Sequence, residues 1–188
     1  MARIGVLALQ GDFEKHSLMI EQLGHQAVAV KKKEHLSGCD RLIMPGGEST
    51  AILKLIDRLG MRDTLEKFIA GHPVMGTCAG LIMLARQADR LPVPPFAAID
   101  ILVQRNAYGR QIDSFIDRID VDFDGCNKQM EAVFIRAPKI VALGPEVRVM
   151  ARHKQDVVLA RQKHIMVASF HPELTEDGAL HDFFINKL

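Results

Sequence analysis

The segment Gly76-Thr77-Cys78-Ala79-Gly80 sets a thiol between two glycines, after the apolar residues Val74 and Met75 and before Leu81, Ile82, Met83 and Leu84. This is the Gly-x-nucleophile-x-Gly arrangement of a sharp strand-to-helix turn, in which the central side chain projects from the edge of a sheet. At a helix N-terminus the positive end of the helix dipole favours the thiolate, the form that attacks carbonyl carbon. The bland alternative, a buried structural cysteine, fits Cys39 and Cys126, which lack both the glycines and the strand-helix setting. For Cys78 the expected chemistry is nucleophilic acyl transfer.

Such a thiolate needs a proton-transfer partner, and the chain has eight histidines. Most are expected at the solvated surface. His171 differs because it ends the apolar run Ile165 to Phe170 and precedes Pro172, which biases it to extended backbone. In extended chain, side chains two apart point the same way, so Glu173 can lie beside it. Cys78, His171 and Glu173 then form a triad in which the imidazole acts as base and later as acid, while the carboxylate orients it. The oxyanion would need backbone donors. The amide of Ala79 is one, and the glycine turn in Pro45-Gly46-Gly47-Glu48-Ser49-Thr50 offers a second at Gly47. That turn lacks the Gly-Lys-Ser/Thr ending of a phosphate loop, and no Gly-x-Gly-x-x-Gly occurs. The chain therefore has no signature of a nucleotide site, and the proposed chemistry requires neither cofactor nor metal.

The elements that must position these residues repeat a strand, turn and helix rhythm through the first half, as a parallel sheet covered by helices does. Strands are predicted at Ile4 to Leu9, Ala27 to Val30, Leu42 to Met44 and Val74 to Gly76. Helices are predicted from Asp12 as cap to Leu23, from Ser49 or Thr50 to Leu59, and through Ile69 behind a capping box of Asp63 and Glu66. Leu91-Pro92-Val93-Pro94-Pro95 cannot be helix interior and reads as a connector. Beyond it, strands are predicted at Ile99 to Val103, Phe115 to Val121, Ala132 to Ile135, Lys139 to Leu143, Val147 to Ala151, Val157 to Ala160 and Ile165 to Ser169, several pairing as antiparallel hairpins at one edge. A helix from Leu180 closes the chain. The expected fold class is thus α/β, one three-layer domain over residues 1–188 with a mostly parallel central sheet.

Lys and Arg number 24 against 23 Asp and Glu, which leaves no basic surface for nucleic acid. No apolar run approaches the roughly 20 residues that span a bilayer. Three scattered cysteines without a Cys-x-x-Cys pair suit reduced thiols in the cytoplasm.

Taken together, the cysteine elbow, the Gly46-Gly47 turn and Phe170-His171-Pro172-Glu173 resemble the class I, triad-type glutamine amidotransferases, in the same order along the chain. Within that group the chain is most similar to the glutaminase subunits of pyridoxal phosphate synthase. The similarity rests on Gly5-Val6-Leu7-Ala8-Leu9-Gln10-Gly11, Arg105-Asn106-Ala107-Tyr108-Gly109-Arg110-Gln111 and Phe134-Ile135-Arg136-Ala137-Pro138. It implies a flavodoxin-like fold, hydrolysis of L-glutamine to glutamate and ammonia, and delivery of ammonia to a barrel-shaped synthase subunit in a large hetero-oligomer. It also implies that Gly46, Gly47, Glu48, Arg105, Ile135 and Arg136 line the glutamine pocket, and that Gln10 and Gly11 lie near the oxyanion loop and the partner. Without the resemblance, Arg105 and Arg136 read as surface charges. Pro94-Pro95-Phe96-Ala97-Ala98 departs from the family pattern, which leads one to expect Leu-Gly there. The competing readings are a glutaminase serving another synthase, such as that of imidazole glycerol phosphate, a cysteine peptidase or esterase with the same elbow, and a catalytically idle binding module.

Overall fold

Each parallel strand in the first half alternates its apolar side chains between two cores, which is why these segments read as unbroken hydrophobic runs. In the computed structural model, which describes residues 1–105 and 114–188, β1 (Arg3–Leu7), β2 (Gln26–Val30), β3 (Arg41–Met44) and β4 (Val74–Thr77) lie parallel. Leu42 and Met44 face one core and Ile43 the other; Val74 and Met75 divide in the same way. The first core is closed by α2 (Ser49–Arg58), α3 (Arg62–Gly71) and α4 (Ala79–Leu84). The second is closed by α1 (Phe13–Gln22) and α5 (Ala179–Asn186).

After α4 come β5 (Ala85–Ala88), β6 (Ile99–Gln104), β7 (Ser114–Phe123), β8 (Cys126–Ile135), β9 (Lys139–Leu143), β10 (Arg148–His153), β11 (Asp156–Gln162) and β12 (Ile165–Ala168). The main sheet runs β2-β1-β3-β4-β12-β11-β10-β7-β8, and β5, β6 and β9 form a second, three-stranded sheet. The last chain segment to join the parallel part is β12, which pairs parallel with β4. From β12 outward every pairing is antiparallel. The α/β class with helices on both faces is as expected, and the antiparallel side is half the sheet rather than a narrow edge.

Several local expectations change. Asp12 and Met61 occupy the N-cap positions of α1 and α3, and neither side chain makes a capping bond, so the capping box of Asp63 and Glu66 does not form. Glu48 instead caps α2, accepting from the amides of Thr50 at 3.0 Å and Ala51 at 2.6 Å. The strand predicted at Ala132 to Ile135 begins at Cys126, because Asp124 and Gly125, both at positive φ, make a two-residue turn that pairs Phe123 with Cys126. The short strand β5 was not expected. Of the two cysteines read as structural, Cys39 is buried and Cys126 is exposed on this hairpin.

The proline-rich connector ends in a structural role. The amide of Phe96 donates to the Met83 carbonyl at 2.7 Å and that of Ala98 to the Leu84 carbonyl at 2.8 Å, so the connector satisfies the last carbonyls of α4. Meeting both acceptors puts Ala97 at φ 51°, a left-handed conformation that disfavours a Cβ. Ala97→Gly should therefore raise stability by about 0.5–1 kcal/mol, the relief of strain exceeding the added freedom of the unfolded chain. Thermal unfolding would show this as a midpoint about 2 °C higher; a lower midpoint would contradict it.

Candidate active site

Four parallel strands deliver their C-terminal ends to one place, the edge at which open α/β sheets hold ligands. The turn after β4 carries Cys78, the turn after β3 carries Gly46, Gly47 and Glu48, and the segment after β12 carries His171. Gln10 and Gly11 follow β1.

Cys78 sits at φ 49° and ψ −103°, a strained conformation for a residue with a side chain. Close packing holds it there. A Cβ on Gly80 would overlap the Met44 carbonyl oxygen, and one on Gly76 would lie 2.6 Å from the Gly80 backbone. The two glycines thus let the first turn of α4 press against β3 and β4. The Cys78 amide donates to the Ala168 carbonyl of β12 at 2.9 Å, tying the elbow to the strand that leads to His171. As the first residue of α4, Ala79 has an amide with no intrahelical acceptor.

His171 and Glu173 are each 4% exposed, and the His171 Nδ1 to Glu173 Oε1 distance is 2.8 Å. The pair meets as expected, by a different route. His171, at φ −107° and ψ 87°, falls short of the extended region, and Pro172–Leu174 form a 3-10 turn that folds Glu173 back onto the imidazole. The His171 amide donates to the Val133 carbonyl of β8 at 2.8 Å. Gly46 forms the wall opposite, where a Cβ would stand 2.5 Å from His171 Cε1 and 3.5 Å from Cys78 Cβ. A glycine here is required by the imidazole itself.

His171 Nε2 is buried and makes no ordinary hydrogen bond among the described residues, as suits a base whose partner is a reacting atom. Burial of the ring works against its protonation, but the nearby Cys78 sulfur and the Glu173 carboxylate outweigh burial and push His171 up to about 10. Cys78 Sγ also lies 3.9 Å from the Ile135 carbonyl, to which it donates. Arg136, next along, is exposed at φ 44°.

Glu48 and Arg105 belong together. Arg105 donates to Glu48 Oε1 at 3.1 Å, to Thr50 Oγ1 at 3.0 Å and to the Arg90 carbonyl at 2.9 Å. Burial tends to raise the Glu48 carboxyl, but the donors from Thr50 and Ala51 and the charge of Arg105 hold it below the usual carboxylate range. Gln10 Oε1 accepts from the Glu48 amide at 2.9 Å, and Gly11 packs on the Gly46 carbonyl so closely that a Cβ would overlap it. Asn106 to Gln111 of the motif beginning at Arg105 lie outside the described residues.

Two histidines expected at the surface are in fact fully buried. His16 and His181 are each 0% exposed. His16 Nε2 lies 3.3 Å from Glu173 Oε2 and 3.2 Å from Thr77 Oγ1; His16 Nδ1 lies 2.9 Å from His181 Nε2. Spacing alone could not reveal this, because the helices carrying them are 165 residues apart at the contact.

The raised pKa of His171 has a direct consequence. Its imidazolium is favoured in the folded state, so the stabilisation it contributes is complete below the ordinary value of 6.5 and is lost as pH rises through about 10. In 15N-histidine NMR spectra His171 should remain doubly protonated at pH 8, and should titrate lower in Cys78→Ala, which lacks the sulfur. Titration of the wild-type ring near 6.5 would contradict this.

Residues 6–188 match the SNO glutamine amidotransferase family. A pyridoxal 5'-phosphate synthase subunit PdxT from Fervidobacterium nodosum is 48% identical, with 98% of this chain and 96% of the relative covered. A PdxT from Thermosipho africanus is 46% identical over 99% of this chain and 98% of the relative. Among solved structures, one described as a glutamine amidotransferase superposes with a TM-score of 0.91 at 44% identity, covering 97% of this chain and 96% of the other. The structure of PurLQS from Thermotoga maritima, at 13% identity and a TM-score of 0.66 over 98% of both chains, shares the fold. With its cysteine elbow and buried His-Glu pair on that shared fold, the chain belongs to the SNO glutamine amidotransferase family.

Proposed function

We propose that this chain is the glutaminase subunit of a pyridoxal 5'-phosphate synthase, hydrolysing L-glutamine through Cys78, His171 and Glu173. The observation that carries the mechanism is the buried 2.8 Å His171–Glu173 contact beside a cysteine held at positive φ. The Cys78 thiolate attacks the side-chain amide carbon of glutamine, and the tetrahedral oxyanion is met by the amides of Ala79 and Gly47. His171, already an imidazolium, gives its Nε2 proton to the departing nitrogen, which leaves as ammonia. A thioester on Cys78 remains. Neutral His171 then takes a proton from water, which attacks the thioester, and glutamate departs as the sulfur is restored. Glu173 accepts from Nδ1–H throughout and fixes the tautomer.

For the substrate, Gly46 and Gly47 supply close backbone approach and Ile135 its carbonyl. Glu48 accepts from the glutamine ammonium, and Arg136 offers a cation to the carboxylate. Arg105 supports this indirectly, since its guanidinium is engaged by Glu48, Thr50 and the Arg90 carbonyl. Residues 1–188 act as one glutaminase domain in the cytoplasm, passing ammonia to a barrel-shaped synthase subunit within a large hetero-oligomer, with Gln10 and Gly11 facing that partner.

Glutamate release from glutamine by the purified chain, with and without a cognate synthase subunit, tests reaction and partner together. Release that the synthase stimulates is the expected result; unstimulated release would remove the partner, and silence in both conditions would remove the activity. Cys78→Ala should abolish release while complex formation, followed by size-exclusion chromatography, persists. Gly46→Ala should lower kcat by at least about tenfold, because its methyl group displaces the imidazole and small misplacements of catalytic groups are costly. Near-normal turnover in Gly46→Ala would show that the ring has room to move.

A further inference from the structure

The mechanism uses one oxygen of Glu173. The other, Oε2, is buried and makes no hydrogen bond among the described residues, and His16 Nε2 approaches it to 3.3 Å. Behind His16, on α1, stands His181, on α5, at 2.9 Å. Neither ring has any exposure.

The proton positions follow from counting donors. Burial first, then the nearby His181 and His171, hold His16 well below its ordinary value, and burial pushes His181 down to about 4. Both rings are neutral, with one N–H each. Were the shared proton on His16 Nδ1, His16 Nε2 would turn a lone pair toward a carboxylate oxygen. His181 Nδ1, buried and without a partner among the described residues, would then carry an unsatisfied N–H. Both features are costly. With the opposite tautomers, His181 Nε2–H donates to His16 Nδ1 and His16 Nε2–H donates to Thr77 Oγ1, with Glu173 Oε2 3.3 Å from the same nitrogen. The unpartnered atoms among the described residues are then acceptors alone, His181 Nδ1 and Glu173 Oε2, the lesser cost.

We infer that His16, oriented by His181, is a positioning residue that holds the second oxygen of Glu173, extending the triad to Cys78-His171-Glu173-His16-His181. This rests on the triad reading given above. The geometry favours it over simple core packing. His16 Nε2 reaches Thr77, the residue before the nucleophile, and Glu173 at once. One ring therefore links the strand end that presents the thiol to the carboxylate that aims its base. A carboxylate held at Oε1 alone can rotate about its terminal torsion; the His16 ring, packed 3.3 Å from Oε2, opposes that rotation, and His171 then keeps one orientation through both halves of the reaction.

The test compares His16→Phe, which fills the site without a donor, with His16→Gln, whose amide nitrogen can replace Nε2–H. Glutamate release is assayed with the cognate synthase subunit present, and thermal midpoints are recorded. His16→Phe should lose roughly tenfold to a hundredfold in kcat, the scale seen when a group orienting a functional histidine is removed. KM should stay within about twofold, and His16→Gln should recover most of kcat. Wild-type kcat in folded His16→Phe, or equal losses in both variants that track a fall in midpoint, would overturn the role. A silent wild-type protein would instead overturn the triad reading and this role with it. Should His16→Phe fail to fold, 15N-histidine NMR of the wild type decides: a neutral Nε2–H tautomer for His16 supports the assignment, and Nδ1–H or imidazolium overturns it.

Discussion

The backbone at Cys78 can hold a positive φ only because α4 is pressed onto β3 and β4 more closely than any side chain at positions 76 and 80 would permit. Three consequences follow from this approach. The thiol stands at the first turn of a helix, the amide of Ala79 is left without an intrahelical acceptor, and the cysteine amide reaches across to Ala168 at 2.9 Å. That last bond fixes the distance between the nucleophile's strand and the strand that leads to His171. The strain at a single residue, of order 1–3 kcal/mol, is offset by the burial of all six residues of α4. The connector from Leu91 to Ala98 completes the arrangement by satisfying the other end of that helix.

Around the elbow the site is organised by burial as much as by bonding. Glu173 and His171 are almost free of solvent, so their charges act in a low-dielectric setting where pairing counts for more. Glu48 and Arg105, by contrast, sit at the open side and hold each other through a network that begins with the α2 cap. The arrangement divides the labour. In the proposed reaction the dry half aims the chemistry, and the wetter half carries the charges suited to a zwitterionic amino acid.

The candidate residues Cys78, His171 and Glu173 were legible because each is announced by neighbours in the chain: glycines about Cys78, a proline after His171, and Glu173 two positions on. The same holds for the parallel strands, whose apolar runs are long enough to read. Helix ends were less legible. Asp12 and the Asp63-Glu66 pair have the composition of caps, yet the chain enters α1 and α3 at angles that leave those side chains unused, while Glu48, a poor cap by type, is turned onto the α2 amides by the glycine turn before it. The first half of β8 was missed because Asn127, Lys128 and Gln129 are polar and exposed on both faces of the hairpin, with no hydrophobic pattern; its pairing comes from the Asp124-Gly125 turn.

By itself the sequence determined the α/β class, the order of the elements, the identity of the elbow and the family, since all of these depend on local spacing and on residue types that few backbones tolerate. Only the tertiary structure decided which histidines are buried beside Glu173. His16 and His181 lie on ordinary amphipathic helices, and nothing within a few residues of either distinguishes a surface ring from a buried one. Packing α1 and α5 on the same face of the sheet brings them together behind Glu173, and burial there, not residue type, makes them neutral and directional. The pairing of Arg105 with Glu48 was decided in the same way, by β6 ending beside the N-terminus of α2.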